Sequence, residues 1–260
     1  MTNLPHLLDQ LVPLIRAAGA AVMAVYATDF AVTGKADDSP VTEADRRAED
    51  IITAGLLRLT PDIPVVGEEA EAEGRAPTVV GQRFWLVDPL DGTREFIHRN
   101  GEFTVNIALI EGGQPVLGLV LAPALGPLYG GGPGLGSWVE DVAGQRRAIA
   151  CRAEPPEGLT VLGSRSHGDA AALDAFLRGR RVAAVRSAGS SLKLCLLAAG
   201  EADVYPRLGR TMEWDIAAGH AVLAGAGGRI EVLPGGAPLT YGKPGWENPH
   251  FVAWGRPDGR

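Results

Sequence analysis

Three acidic clusters stand where apolar runs stop, and their residue types suit hard-cation chemistry. "DPLDGT" follows the run "FWLV" and offers Asp88 and Asp91. "VVGEEA" ends on Glu68 and Glu69, and "EWDIAAGHAVLAGAGG" carries Asp215 near the start of a helix of small residues. Carboxylate oxygens without an adjacent His or Cys cluster select Mg2+, with Mn2+ as a substitute, over zinc. Strand ends and helix starts are where side chains and free backbone donors can meet one ligand. Each cluster alone has a plainer explanation. Asp and Thr cap helices, Pro-x-Asp-Gly makes turns, "EEAEAEG" is expected to be an exposed acidic stretch, and Asp215 suits the first turn of a helix. Together they outweigh it, because several hard oxygen donors in one chain make a ligand set. Within "DPLDGT", Pro89 stiffens the turn and Gly92 lets backbone approach a ligand. The Thr93 hydroxyl then stands at a helix start, beside amides suited to phosphate oxygens.

The elements that must position these residues follow from periodicity. Residues 4 to 27 carry apolar side chains at helical spacing, and a second helix is expected from about 42 to 59, with acidic residues in its first turn. "DIPVVG" and "RFWLVD" read as strands. "FTVNIALIEGGQPVLGLVLAP" reads as a hairpin turning at Gly112-Gly113, and "LGPLYGGGPGLGSWVE" as further tight hairpin turns. That glycine-rich stretch lacks a Gly-Lys-Ser/Thr ending and is no P-loop. The polar, proline-containing segment 151–160 is the best internal boundary. Beyond it strands ("LTVLGS", "RVAAVRSAG", "ADVYPRL", "RIEVL") alternate with helices ("DAAALDAFLRG", "SLKLCLLAAGEA", "WDIAAGHAVLAG"), an α/β pattern. The expected division is an α+β part over 1–154 and an α/β part over 155–260. The site lies between them, since Asp215 must join ligands from the first half.

Bulk properties narrow the function. With 46% hydrophobic and 21% charged residues among 260, a soluble globular protein is expected. A formal charge of −7 argues against a nucleic-acid polymer or an anionic membrane as main partner. It also means that an anionic substrate requires an imported cation. No apolar run is expected to approach the roughly 20 residues of a membrane span. "MTNLPHLLDQ" lacks a basic flank and a signal-type apolar segment, and Cys151 and Cys195 do not make a disulfide framework. A reducing cytoplasm fits best.

"VGEEA", "WLVDPLDGT" and "EWDIAAGHAVLAGAGG", in this order and at these separations, resemble the Mg2+-dependent, lithium-sensitive phosphatases of the inositol monophosphatase and fructose-1,6-bisphosphatase superfamily. The resemblance runs from about residue 35 to about residue 250. It implies an α+β fold, a layered αβαβα sandwich of the sugar-phosphatase type, with two or three Mg2+ per site. It further implies metal ligands at Glu68, Asp88, Asp91 and Asp215 and at the Leu90 carbonyl. Asp45, in "SPVTEAD", would work with Thr93 to orient and deprotonate the attacking water; without the resemblance Asp45 is an early-helix carboxylate.

"DPLDGTREFIHRNGEFTVNIALI", "GSRSH" (163–167) and "AGSSLKLCL" (188–196) are similar to the CysQ-type 3'(2'),5'-bisphosphate nucleotidase branch. That implies hydrolysis of the 3'-phosphate of adenosine 3',5'-bisphosphate to AMP and phosphate, with the sulfated nucleotide also accepted, and a role in sulfur assimilation. Substrate contacts are then expected at Gly92, Thr93, Ser166, His167, Gly189, Ser190 and Lys193. Small glycine-serine turns admit a nucleotide, and His167 and Lys193 could bind a second phosphate or the base edge. The plainer alternatives are an exposed turn histidine and a solvated helix lysine; His98 and His220 are expected to be structural. Inositol-1-monophosphatase or broad sugar-phosphatase activity is the neighbouring alternative. The Asp-x-Asp motif of aspartyl-phosphate phosphatases does not match carboxylates three residues apart. A non-catalytic metal- or nucleotide-binding regulator has no need of both Asp45 and Thr93. The partner is a small molecule, and monomer and homodimer both remain open.

Overall fold

Apolar stripes at helical spacing open the chain as α1 (Leu4–Tyr26) and α2 (Pro40–Leu59), packed against each other. They belong to a computed structural model that describes residues 3–28, 40–78, 80–164 and 170–255. α1 starts on Asn3, whose side chain accepts a hydrogen bond from the His6 amide, and it turns Leu7, Leu11, Ile15, Ala18 and Val22 inward. One expectation needs correction: by length and composition this helix could cross a membrane, with a mean hydropathy of 1.4. Of that apolar window 39% is buried inside the molecule, where Leu7, Leu11, Ile15 and Val22 pack on the sheet beneath.

Seven strands form the first sheet in chain order: β1 (Val65–Gly67), β2 (Arg83–Asp91), β3 (Thr104–Glu111), β4 (Gln114–Leu121), β5 (Leu128–Gly132), β6 (Gly136–Glu140) and β7 (Arg146–Ile149). β1 runs parallel to β2 and every other pairing is antiparallel. The second sheet contains β8 (Leu159–Ser164), β9 (Val182–Ala188), β10 (Val204–Arg207), β11 (Arg229–Val232) and β12 (Phe251–Trp254), in the order β11-β12-β10-β8-β9. β12 is a strand that the sequence reading does not contain.

Strand alternation divides the side chains among layers. In β2, Trp85 and Val87 point toward α1 and α2, whereas Phe84 and Leu86 point the other way. On that second side lie α6 (Leu192–Ala198) and α7 (Glu213–Gly225), which share a core with the inner face of the second sheet through Leu194, Val222, Tyr205 and Phe251. The outer face of the second sheet carries Val161, Val204 and Val252 under α5 (Ala170–Leu177). The layers are therefore αβαβα, as expected. α7 has no solvent face of any width, and it reaches the first sheet closely because Gly118 of β4 lacks a side chain. A Cβ there would stand 2.3 Å from the Ala218 carbonyl oxygen.

Candidate active site

Parallel pairing and one irregularity bring the first carboxylates together. β1 and β2 pair Gly67 with Val87, so Glu68, the next residue, comes level with Asp88. A spacing of three places Asp88 and Asp91 on opposite faces of a regular strand. β2 is not regular. Asp88 pairs with Asn106 and Asp91 with Thr104, so β2 uses one residue more than β3 across Pro89-Leu90. That bulge re-phases the strand, and both carboxylates line one cavity of about 550 Å³ together with Glu68 and Asp215. The Leu90 amide donates to Asp88 Oδ1 at 3.0 Å. "RFWLVD" thus continues as strand through Asp91 rather than turning at Asp88.

The stretch expected to be exposed, "EEAEAEG", is instead the short helix α3 (Glu68–Ala72), half-buried against α2. Glu49 causes this. Its buried carboxylate accepts from the amides of Glu69 at 2.9 Å and Ala70 at 2.8 Å, capping α3 from another helix. Asp45, one turn earlier on α2, is also buried, and α2 touches both α3 and α4 (Thr93–Ile97). The helix that carries Asp45 therefore bridges the elements that carry Glu68 and Thr93. Asp45 itself is not among the lining residues. Thr93 is exposed at the first position of α4 and lines the cavity. Gly92 precedes it in the left-handed region at φ 96°, which L side chains rarely adopt, and a Cβ there would crowd Phe103 at 3.3 Å.

Asp215 arrives from the other half of the chain, in the first turn of α7, with Oδ2 accepting from the Met212 amide at 2.9 Å. Burial raises the pKa of each of these ligand candidates, and repulsion among them adds to it at Glu68, Asp88 and Asp215. Glu68 is pushed up to about 8, by burial and then the charges of Asp215 and Asp91, and Asp215 to about 7, by burial and then Asp91. Asp88 rises well above the usual carboxylate range from burial and the Glu68 charge. Burial raises Asp91 too, against the opposing pull of Lys193. Asp45 is raised well above its ordinary value by burial, then by Glu69, Glu68 and Glu49.

Among the described residues no three of these side chains close into a finished ligand shell, yet the donor set fits a hard divalent cation. Glu68 and Asp88 are within hydrogen-bond reach of each other. Two such carboxylates require a shared proton or a cation between them. Among the described lining residues there are carboxylates and no His or Cys, the condition for Mg2+ or Mn2+.

The loop after β9 also lines the cavity. Gly189 donates its amide to Glu102 Oε2 at 2.8 Å. Ser190 sits at φ 42°, with a buried hydroxyl that has no hydrogen-bond partner among the described residues. Lys193 is not a solvated helix residue. Its ammonium is buried over the Tyr205 ring and donates to the carbonyls of Ser190 at 2.6 Å and Ala188 at 3.1 Å. Burial lowers its pKa to about 8, against the raising charge of Asp91. Arg207, at the end of β10, is also buried and lines the cavity; one of its terminal nitrogens bonds the Arg210 carbonyl, and its Nε has no partner among the described residues. Ser166 and His167 lie outside the described residues. His220 is buried against the Tyr241 hydroxyl at 2.9 Å, a structural pairing, and burial lowers its pKa to about 4. His98 is exposed at the end of α4.

A model of the inositol monophosphatase family matches residues 3–253. The chain belongs to that family. It is 51% identical over 238 residues to the 3'(2'),5'-bisphosphate nucleotidase CysQ of Escherichia coli O157:H7, covering 90% of this chain and 94% of the relative. Among solved structures it is similar to CysQ from Bacteroides thetaiotaomicron, a bacterial member of the inositol monophosphatase family. The TM-score there is 0.82, at 34% identity over 95% of this chain and 96% of that one. Inositol monophosphatase from Anabaena (Nostoc) sp. PCC 7120 superposes with a TM-score of 0.77, at 25% identity over 98% and 92% of the two chains. Family membership makes this chain a metal-dependent phosphatase.

Within this inositol monophosphatase fold, four residues escaped the sequence reading: Glu49, Asn106, Ser191 and Arg207. Glu49 had a signal, since it follows Asp45 by one helical turn and shares its face. Arg207 had one as well, a cation closing the apolar strand "DVYPR". Asn106 and Ser191 had none. They look like any polar residue of a strand and a helix start.

Proposed function

We propose that this chain hydrolyses the 3'-phosphate of adenosine 3',5'-bisphosphate to AMP and phosphate, accepts the related sulfated nucleotide, and serves sulfur assimilation. The observation that carries this reading is the polarity of the cavity. Its lining joins carboxylates to two buried polar atoms without partners among the described residues, Ser190 Oγ and Arg207 Nε. A substrate with two phosphates uses both groups, the carboxylates through a cation and Arg207 directly. An uncharged polyol carrying a single phosphate leaves the second group idle.

In this proposal Glu68, Asp88, Asp91, Asp215 and the Leu90 carbonyl hold two or three Mg2+, replaceable by Mn2+. Bound there, the metal supplies charge neutralisation on phosphoryl oxygens and a water of lowered pKa. Thr93 would accept a hydrogen bond from the attacking water and pass its own proton to Asp45, whose buried, anionic surroundings favour taking one up. Gly92 and Thr93 face the scissile phosphate, whose bond to the ribose oxygen breaks as the water attacks, the departing oxygen taking its proton from a solvent water. Lys193 acts through the loop rather than by reaching the substrate: its bonds to the Ala188 and Ser190 carbonyls hold Gly189 and Ser190 against the nucleotide. Ser166 and His167 complete the nucleotide contacts. We take residues 1–154 and 155–260 as the two parts that meet at the site, in a cytoplasmic monomer or homodimer without a nucleic-acid partner.

A phosphate-release panel tests the reading. Adenosine 3',5'-bisphosphate should exceed inositol 1-phosphate in kcat/KM by at least about a hundredfold, or roughly 2.7 kcal/mol of differential transition-state binding. Arg207→Ala should damage the bisphosphate reaction far more than that of a small monophosphate. Equal losses on the two substrates, or a wild-type preference for inositol 1-phosphate, would move the assignment to an inositol monophosphatase activity.

A further inference from the structure

Asp91 ends a strand of the first sheet and Asp215 begins a helix of the second part. A cation shared by their carboxylates therefore demands that something fix the gap. Ser191 lies in it, almost wholly buried. Its Oγ is 2.5 Å from the Asp215 carbonyl oxygen and 3.1 Å from Asp91 Oδ2, and it accepts from Asn106 Nδ2 at 3.0 Å. Its backbone amide also bonds the Asp91 carboxylate. A hydroxyl has one proton and two lone pairs. With Asn106 filling a lone pair, the proton turns toward one of the two oxygens carried by the aspartates. Asn106 is itself fully buried on β3, opposite Asp88 in the ladder. One hydroxyl thus touches the end of β2, the middle of β3 and the first turn of α7.

We infer that Ser191 is a positioning residue that sets the separation of Asp91 and Asp215 and, through it, the affinity of the site for divalent cation. The inference rests on the carboxylates being the metal ligands, as proposed above. Chelator-treated protein would be titrated with Mn2+, reading the free ion by electron paramagnetic resonance, for the wild type, Ser191→Ala and Ser191→Gly. Asp91→Asn serves as a control for the ligand reading. Removing the hydroxyl should weaken Mn2+ binding roughly ten- to a hundredfold, the usual cost of losing a group that orients a ligand. The Mg2+ concentration for half-maximal activity should rise in parallel, with kcat recovering at saturating Mg2+. A Mn2+ affinity unchanged in both variants would overturn the inference. So would a kcat that stays depressed at saturating Mg2+, or loss of the fold in both, since either marks a general structural support. If Asp91→Asn binds Mn2+ like the wild type, the ligand reading itself fails.

Discussion

At Glu68 and Asp215, protons and cations compete for the same oxygens. Their pKa values of about 8 and about 7 stand above the ordinary 4.5 and 3.8, so the metal-free folded state binds protons more tightly than the unfolded chain. The stability from this source is fully present below the ordinary values and is lost as pH rises through 7 and 8. A divalent cation relieves the same repulsion. Mg2+ should therefore raise the thermal midpoint more at pH 8.5 than at pH 6, and comparing scans with and without Mg2+ cancels the titration of His220. Calorimetry at pH 7 in buffers of different ionisation enthalpy should record net release of on the order of one proton per site. Metal binding without proton release would contradict the shared-oxygen picture. Thr93 permits a separate test. Thr93→Ala should slow turnover roughly 10²- to 10⁴-fold with substrate binding largely kept, the range of a positioned proton-transfer group. A change confined to KM would reduce Thr93 to a substrate contact.

Elements decide whether such residues meet, and here the sequence is legible only in part. The helices, the hairpins and the strand-helix alternation of the second half follow from periodicity and turn residues. The bulge at Pro89-Leu90 does not, because it exists only in the register of β2 against β3. Lys193 illustrates the same limit: "SLKLCLLAA" indicates a helix but not that its polar first turn is covered by Tyr205 and the loop after β9. α3 is not legible in the sequence because an acidic run is normally a solvated face, and the carboxylate that caps it comes from α2. This cap carries a prediction. Glu49→Ala leaves the Glu69 and Ala70 amides without their acceptor, which should cost about 1–3 kcal/mol in denaturant unfolding. Because α3 begins at Glu68, the Mg2+ requirement for activity should rise as well. A variant with lost stability and an unchanged Mg2+ requirement would separate α3 from the site.

At the scale of the whole molecule, each sheet is drawn from one side of the connection between β7, which ends at Ile149, and β8, which begins at Leu159. The hydrophobic core does not respect that division. Phe84, Leu86, Ile110 and Val120 from the first sheet share one cluster with Leu194, Tyr205, Val222 and Phe251 from the second part. α7, the helix that delivers Asp215, lies across β2, β3, β4 and β5 of the first sheet. Residues 1–154 alone would therefore expose one whole face of a seven-stranded sheet to water, a patch far larger than soluble monomers tolerate. That fragment should fail to reach a unique fold. Poor dispersion of its amide resonances and strong binding of a hydrophobic dye would be the expected signs, with native-like far-ultraviolet dichroism still possible from the core between α1, α2 and the sheet. Supplying residues 155–260 in trans should restore dispersion and, with it, Mg2+-dependent phosphatase activity, because only then is Asp215 opposite Asp91. A fragment 1–154 that unfolds cooperatively with sharp near-ultraviolet dichroism would instead establish an autonomous first domain. The site would then form by docking of two finished units rather than by one folding event.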